Sequence, residues 1–235
     1  MIFKAFQHRT DKAEIMDDFE LKGQELEVVL NDLNNVNKRL GGYKITINGI
    51  KKLINKKDRP LKIADVGCGS GENLRQIAKW AKRENISVEL FGIDANSNTI
   101  SLAKSLSTEF ENIQFIQQNI FDETFSHQQF DIITLSLTLH HFKDKEIRKL
   151  LPILYRNSNL GLVINDLHRH WLAYVLFQMY SAVFMKSKIA KHDGKVSILR
   201  GFKTSELKGY STFVKPANIQ IEWQWAFRYL CIFHK

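Results

Sequence analysis

Ile63-Ala64-Asp65-Val66-Gly67-Cys68-Gly69-Ser70-Gly71 is the stretch on which the reading of this chain turns. It closes an apolar strand, Leu61 to Val66, and opens into glycines alternating with other small residues. Glycines at 67, 69 and 71 permit a tight turn and let a ligand approach the backbone with no Cβ in the way. A helical pattern follows from Glu72, so the unpaired N–H groups of its first turn face the loop. Three glycines by themselves also suit an ordinary strand-to-helix turn. The spacing is G-x-G-x-G with an acid two residues before the first glycine, whereas dinucleotide enzymes prefer G-x-G-x-x-G. A second apolar run, Val88 to Ile93, ends in Asp94, whose carboxylate can accept both hydroxyls of an adenosyl ribose. Alone, Asp94 serves equally well as a helix N-cap. Together with the loop it makes a nucleoside site.

Outward from this stretch the chain alternates. Helical patterns over Glu72–Lys82, Ser97–Phe110 and Lys145–Tyr155 separate apolar runs at Leu61–Val66, Val88–Ile93, Ile113–Gln118, Phe130–Leu137 and Leu160–Leu167. Phe130–Leu137 is nearly continuous in apolar character, as a strand covered on both faces must be. Ile219–Trp225 and Arg228–Phe233 read as a closing pair of strands. This order predicts an α/β fold, Rossmann-like and doubly wound, with a mostly parallel seven-stranded sheet. Ligands of such sheets bind at the carboxyl ends of the strands, so the residues after each strand are those to read for function.

Before the alternation, Leu21, Leu26, Val29, Leu30, Leu33 and Val36 recur at helical spacing and predict a helix over Ala13–Asn37. Gly41-Gly42 breaks it, and a short helix over Ile45–Ile54 leads to Pro60. Residues 1–56 are therefore expected to form an N-terminal helical cap over a domain spanning 57–235. After the fifth strand, Trp171–Ile189 reads as one long apolar helix and Thr204–Lys208 as a short one, giving a lid helix within an insert at about 169–210.

The chain has 235 residues, a net charge of +9 and two cysteines, Cys68 and Cys231. Two cysteines are too few for a disulfide framework and fit a reducing, cytoplasmic setting. Met1 to Asp18 has neither a continuous apolar core nor a small-residue cleavage pattern, so no secretory signal is expected there. The apolar run Trp171 to Met185 is shorter than the roughly twenty residues of a spanning helix. Its basic flanks, His168-Arg169-His170 and Lys186-Ser187-Lys188, suit a lid over a greasy ligand or contact with a membrane surface through 171–185, and equally a helix packed on the core. Lysines and arginines are spread along the chain rather than massed in one tract, as on a solvated basic surface, and no nucleic acid partner is expected.

Residues Ile63 to Gly71 resemble the first motif of class I S-adenosylmethionine (SAM)-dependent methyltransferases, and Asp94 matches their ribose-binding acid. Phe130-Asp131-Ile132-Ile133-Thr134-Leu135-Ser136-Leu137 resembles the fourth strand of that family, followed by His140-His141-Phe142. Asn119-Ile120 stands where the family usually has an acid near adenine; Asn119 can still meet the adenine amino group through its amide oxygen. The resemblance spans roughly Leu61 to Leu167. It implies SAM as cofactor and S-adenosylhomocysteine as product, held by Asp65, Gly67, Cys68, Gly69, Gly71, Asp94, Ala95, Asn119, Ile120, Leu135 and Ser136. Arg39, just ahead of the core, is expected to pair with the methionine carboxylate. The segments Asp32 to Tyr43, Asn165 to Arg169 and Ser197 to Phe202 are similar to a branch near the quinone-biosynthesis methyltransferases, whose members are often encoded beside type III polyketide synthases. That likeness implies a phenolic or quinol ring with an alkyl tail as acceptor.

An acceptor hydroxyl must lose a proton, and histidine is the usual base. The expected catalytic residues are His140, Asp166 and His168, with Asp166 holding His140 or His168 in one tautomer. A strand-end cluster that only lines the cleft is the plainer alternative. Two other functions compete. RNA methylation is motivated by the basic charge, but no Asn/Asp-Pro-Pro-Tyr/Phe run follows the fourth strand and no RNA-binding module is evident. A non-catalytic SAM-binding protein is the other.

Overall fold

The computed structural model describes residues 2–18, 20–54 and 59–235. The expected boundary between residues 56 and 57 lies outside them. Seven strands form one sheet: β1 (Leu61–Val66), β2 (Val88–Asp94), β3 (Ile113–Gln117), β4 (Phe130–Ser136), β5 (Ser158–Leu167), β6 (Asn218–Gln224) and β7 (Arg228–His234). Their spatial order is β3-β2-β1-β4-β5-β7-β6. The first five run parallel, and β7 enters antiparallel to both β5 and β6. The expected seven-stranded, mostly parallel sheet is present. Strand order reverses between β1 and β4, which puts the ligand crevice of such a fold above their carboxyl ends.

Alternation along β1 separates two cores. Leu61 and Ile63 join one cluster with Leu74, Ile77 and Trp80 of α3 (Glu72–Arg83) and Ile50 and Leu53 of α2 (Gly42–Leu53). Ala64 and Val66 face the other way, toward Ile147, Leu150 and Leu154 of α5 (Asp144–Arg156) and Leu207 and Tyr210 of α8 (Thr204–Val214). Every residue of β4 except its last is buried, because this central strand is covered on both faces. Helix α3 carries Glu72 in its first turn and Lys82 and Arg83 in its last, each opposite the sign of the nearby end of the helix dipole.

The two ends of the chain depart from the simple periodic reading. The first long helix, α1, runs Gly23–Arg39 and begins well after Ala13. Ahead of it the chain forms a strap with 3-10 turns at Ile2–Phe6 and Ile15–Asp17; it does not continue as helix at the second, because the amides of Ile15 and Met16 are taken by the Asp193 carboxylate, each at 2.9 Å. Three arginines clamp this strap. Arg9 donates to the carbonyls of His140 and Phe142 at 3.0 and 2.8 Å. Arg200 reaches the Lys12 carbonyl at 3.0 Å, and the fully buried Arg169 reaches those of Phe6 and Gln7 at 3.2 Å each.

The expected single helix over Trp171–Ile189 is two helices, α6 (Trp171–Phe184) and α7 (Lys188–Arg200). Buried Asp32 of α1 makes the corner: its Oδ2 accepts from the amides of Lys186 and Ser187 at 2.8 and 2.7 Å. Ser187 then caps α7 by accepting from the Ala190 amide at 3.1 Å. Helix α4 (Ser97–Ser105) stops short of Phe110, and α8 continues past Lys208 to Val214. Among the described residues no helix is long and apolar enough to cross a membrane.

Candidate active site

The glycine loop sits above the carboxyl end of β1. Gly67, Gly69 and Gly71 all have positive φ, at 69°, 53° and 75°. A Cβ on Gly67 would stand 2.4 Å from Thr138 Cγ2, so the tight turn admits no larger residue there. A Cβ on Gly69 would meet nothing nearer than Leu30 Cδ2 at 3.9 Å, because this glycine opens onto a cavity. The loop is tied to β2 by the amides of Gly67 and Cys68, which donate to the Ile93 carbonyl at 2.8 and 3.2 Å. Beneath it, Asp65 accepts from Thr134 Oγ1 at 2.6 Å, and burial pushes its carboxyl up to about 7.

Asp94 closes the loop from the side. Its Oδ2 accepts from the Gly69 amide at 3.1 Å and its Oδ1 from the Asn96 amide at 3.0 Å. The helix-cap alternative is excluded: Asn96 caps α4, accepting from the amides of Asn98 and Thr99. Asp94 instead lines the cavity, where burial raises its carboxyl above the usual range.

The cavity has a volume of about 800 Å³, near the top of the roughly 300–1,000 Å³ typical of small-molecule sites. Asp65, Gly67, Cys68, Gly69, Asp94, Ala95, Asn119, Ile120, Ser136 and His140 all line it. Asn119 Oδ1 already accepts from the Phe121 amide at 3.0 Å, which fixes the side chain at the end of β3. Other expected residues stand back from the wall. Gly71 caps α3 and packs on Phe115, and Leu135 is fully buried in the core. Arg39 lies over the ring of Phe184, 3.5 Å from the Tyr180 hydroxyl. His168 packs among Phe227, Tyr229 and His170, and burial lowers it to about 4.

A polar cluster forms one wall. His140 is buried, with Nδ1 2.7 Å from Asp166 Oδ1 and Nε2 3.5 Å from Glu14 Oε1. Burial alone would lower its pKa, but the two carboxylates outweigh that and hold it up to about 9. Asp166 does not line the cavity; it also accepts from the amides of His140 and Leu167, which orient it. Glu14 is buried too, and although burial opposes its ionisation, His141 and His140 hold its carboxyl below the usual value. His141 Nδ1 lies 2.6 Å from Asp17 Oδ1. Arg200 donates to the carbonyls of His140 and His141 and to Asp17.

Sequence reasoning missed Glu14, which sits in the strap, and Arg228, the first residue of β7. Arg228 lines the cavity at 2% exposure, and its Nε and Nη1 have no hydrogen-bond partner among the described residues. Burial lowers its pKa to about 10. An isolated cation near a strand start carries no periodic signal, so only the fold reveals it. The remaining wall is apolar. Leu30, Leu33 and Val36 of α1 face Ala173, Leu176 and Phe177 of α6, with Trp225 and Phe227 below. Beside this face of α6, Met179 and Val183 are 64% and 74% exposed.

Comparison with known proteins fits this architecture. The methyltransferase domain family matches residues 57–189. The uncharacterized methyltransferase YcgJ of Bacillus subtilis (strain 168) is 28% identical over 106 residues, 43% of this chain and 40% of that protein. The ubiquinone/menaquinone biosynthesis C-methyltransferase UbiE of Rickettsia prowazekii (strain Madrid E) is 34% identical over 97 residues, 40% of this chain and 38% of that protein. The matched stretch thus spans about two-fifths of the length of these relatives. Among solved structures, the plantazolicin methyltransferase BpumL in complex with SAH superposes with a TM-score of 0.62 at 17% identity, covering 89% of this chain and 95% of that one, a likeness of fold.

Proposed function

The chain belongs to the methyltransferase domain family, and from that premise we propose that it transfers the sulfonium methyl of SAM to a small hydrophobic acceptor carrying a phenolic or quinol ring. One observation carries the reading: a single cavity runs from the glycine loop and Asp94 to an apolar end walled by α1 and α6. Its volume exceeds the needs of one nucleoside and is closed over by the strap, which favours a small acceptor over a polymer. The similarity to UbiE, a methyltransferase of ubiquinone and menaquinone biosynthesis, supports a small ring acceptor.

The residues present fit SAM. The open space over Gly69 admits a close ligand, and Asp94 offers a carboxylate to ribose hydroxyls from a wall where it already supports the loop. Asn119 and Ile120 stand at the adenine end, and Ser136 and Asn34 near the glycine loop. When bound, SAM supplies an electrophilic methyl group. The protein aligns the acceptor with it and excludes water.

At the polar wall, His140 presents an N–H at neutral pH because Asp166 and Glu14 keep it protonated. The proton of an acceptor hydroxyl therefore goes to the Glu14 carboxylate, with His140 as the hydrogen-bond donor that steadies it and Asp166 as the positioning residue. Arg228 offers Nε and Nη1, both without a partner among the described residues, to the negative charge that develops on the ring. His168 takes no part in this assignment. Residues 1–56 serve as the cap and about 169–210 as the lid. The exposed face of α6 rests on a membrane surface, from which an alkyl-tailed acceptor reaches the cavity across the same helix.

The test is methyl transfer from labelled SAM to a panel of alkylphenols and reduced quinones beside total RNA. Label in the ring acceptors supports the proposal; label in RNA alone overturns it, and label in neither with SAM bound favours a non-catalytic SAM-binding protein.

A further inference from the structure

The strap brings three groups of metal-ligand type to one point on the cavity wall. Glu14, His140 and His141 each offer an atom, and these atoms lie within 4.8 Å of one another. Both imidazoles are arranged alike. Nδ1 of His140 faces Asp166 Oδ1 at 2.7 Å, and Nδ1 of His141 faces Asp17 Oδ1 at 2.6 Å. With Nδ1–H donated to a carboxylate, the lone pair of each ring falls on Nε2. Both Nε2 atoms turn to the same carboxylate: His140 lies 3.5 Å from Glu14 Oε1 and His141 lies 4.0 Å from Oε2.

A carboxylate behind each histidine is how proteins fix the tautomer of a ligating imidazole and raise its basicity. A tetrahedral ion with bonds of about 2.0–2.1 Å holds its ligand atoms roughly 3.3–3.5 Å apart, so small side-chain rotations suffice to close this site. Glu14 Oε1 is enclosed and, among the described residues, approached by no donor nearer than His140 Nε2 at 3.5 Å, a loose contact that an ion between the two atoms would tighten.

We propose that Glu14, His140 and His141 bind one divalent first-row transition-metal ion of the Zn²⁺ type. Two imidazole nitrogens and one carboxylate oxygen select such an ion over Mg²⁺ or Ca²⁺. Three protein ligands leave a further coordination position for a water or an acceptor oxygen. The inference concerns binding alone and does not need the methyl-transfer reading; with the ion bound, Glu14 and His140 serve as ligands in place of the proton-handling roles given above.

The experiment uses the full chain, stripped with a chelator, and titrates Co²⁺ by its visible absorption and Zn²⁺ and Mg²⁺ by calorimetry. One Zn²⁺ per chain is expected, at least about 100-fold tighter than Mg²⁺, with intense visible bands for four-coordinate Co²⁺. Glu14→Gln and His141→Ala should each weaken Zn²⁺ at least about 100-fold, and Asp17→Asn by about 10–100-fold. SAM titration of the same variants reports whether each is folded; should one fail, the other decides. Absence of saturable Zn²⁺ uptake by the wild-type chain overturns the proposal, as does uptake that folded Glu14→Gln and His141→Ala both retain. Loss of SAM binding by the wild-type chain would sink the methyltransferase reading and leave this one standing.

Discussion

The Gly69 amide donates to Asp94 Oδ2 at 3.1 Å, so the loop after β1 and the acid after β2 form one hydrogen-bonded unit. Each holds the other in place for a ligand between them. Asp94→Ala should therefore remove ribose contacts and loosen the loop together. Charge-assisted hydrogen bonds are each worth about 1.5–3 kcal/mol, so SAM affinity measured by calorimetry should fall about 30-fold or more. Unchanged affinity would place the nucleoside elsewhere.

Arg228 makes an opposite pair of demands on stability and function. Its buried guanidinium leaves Nε and Nη1 without a partner among the described residues, a cost in the ligand-free protein. Arg228→Met should raise the ligand-free melting temperature, by about 1–3 kcal/mol of stability, while lowering kcat/KM on phenolic acceptors about 100-fold. A variant that melts lower and keeps its turnover would show that Arg228 serves the fold alone.

Met179 and Val183 project from the outer face of α6. Replacing both with Glu adds two charges to that face without touching the cavity wall. Co-sedimentation with vesicles of anionic lipid should drop to background, while SAM affinity in solution stays the same. Equal sedimentation of both proteins would dismiss the membrane contact.

His168 reports on acid stability. Burial, with His170 next, depresses it from 6.5 to about 4 in the folded chain. A histidine depressed by folding contributes stability above its unfolded pKa, and that stability is lost as pH falls from about 6.5 through about 4. Melting curves across this window should therefore decline less steeply for His168→Gln than for the wild-type chain, and the variant should retain methyl transfer at pH 7.5. A large loss of turnover would return His168 to the catalytic set.

Asp32 tests the corner between α6 and α7. It accepts from two backbone amides, those of Lys186 and Ser187. Asp32→Ala should cost about 2–4 kcal/mol and open the lid, seen as a fall of several degrees in melting temperature and faster hydrogen exchange around residues 184–190. Unaltered exchange there would mean that the corner is held by packing.

The sheet was legible because its signals are local. Apolar runs of strand length, the glycines at 67, 69 and 71, and the acid at 94 each state their role within a few residues. The break after Phe184 was not legible, since the apolar pattern of α6 runs into Met185 and the group that ends the helix, Asp32, lies in α1. The expected helix begins at Ala13, yet the amides of Ile15 and Met16 bond to the Asp193 carboxylate instead.

By itself, the order of residues determined the doubly wound sheet and the SAM-type loop, because strand alternation and glycine spacing act between near neighbours. Tertiary structure alone decided what faces the loop. Three arginines clamp the strap, and the strap carries Glu14 and Asp17 to His140 and His141. The hairpin of β6 and β7 brings Arg228 beneath the same cavity. Charges meeting from distant parts of the chain leave no periodic trace, since their attraction depends on where the packed core sets them down.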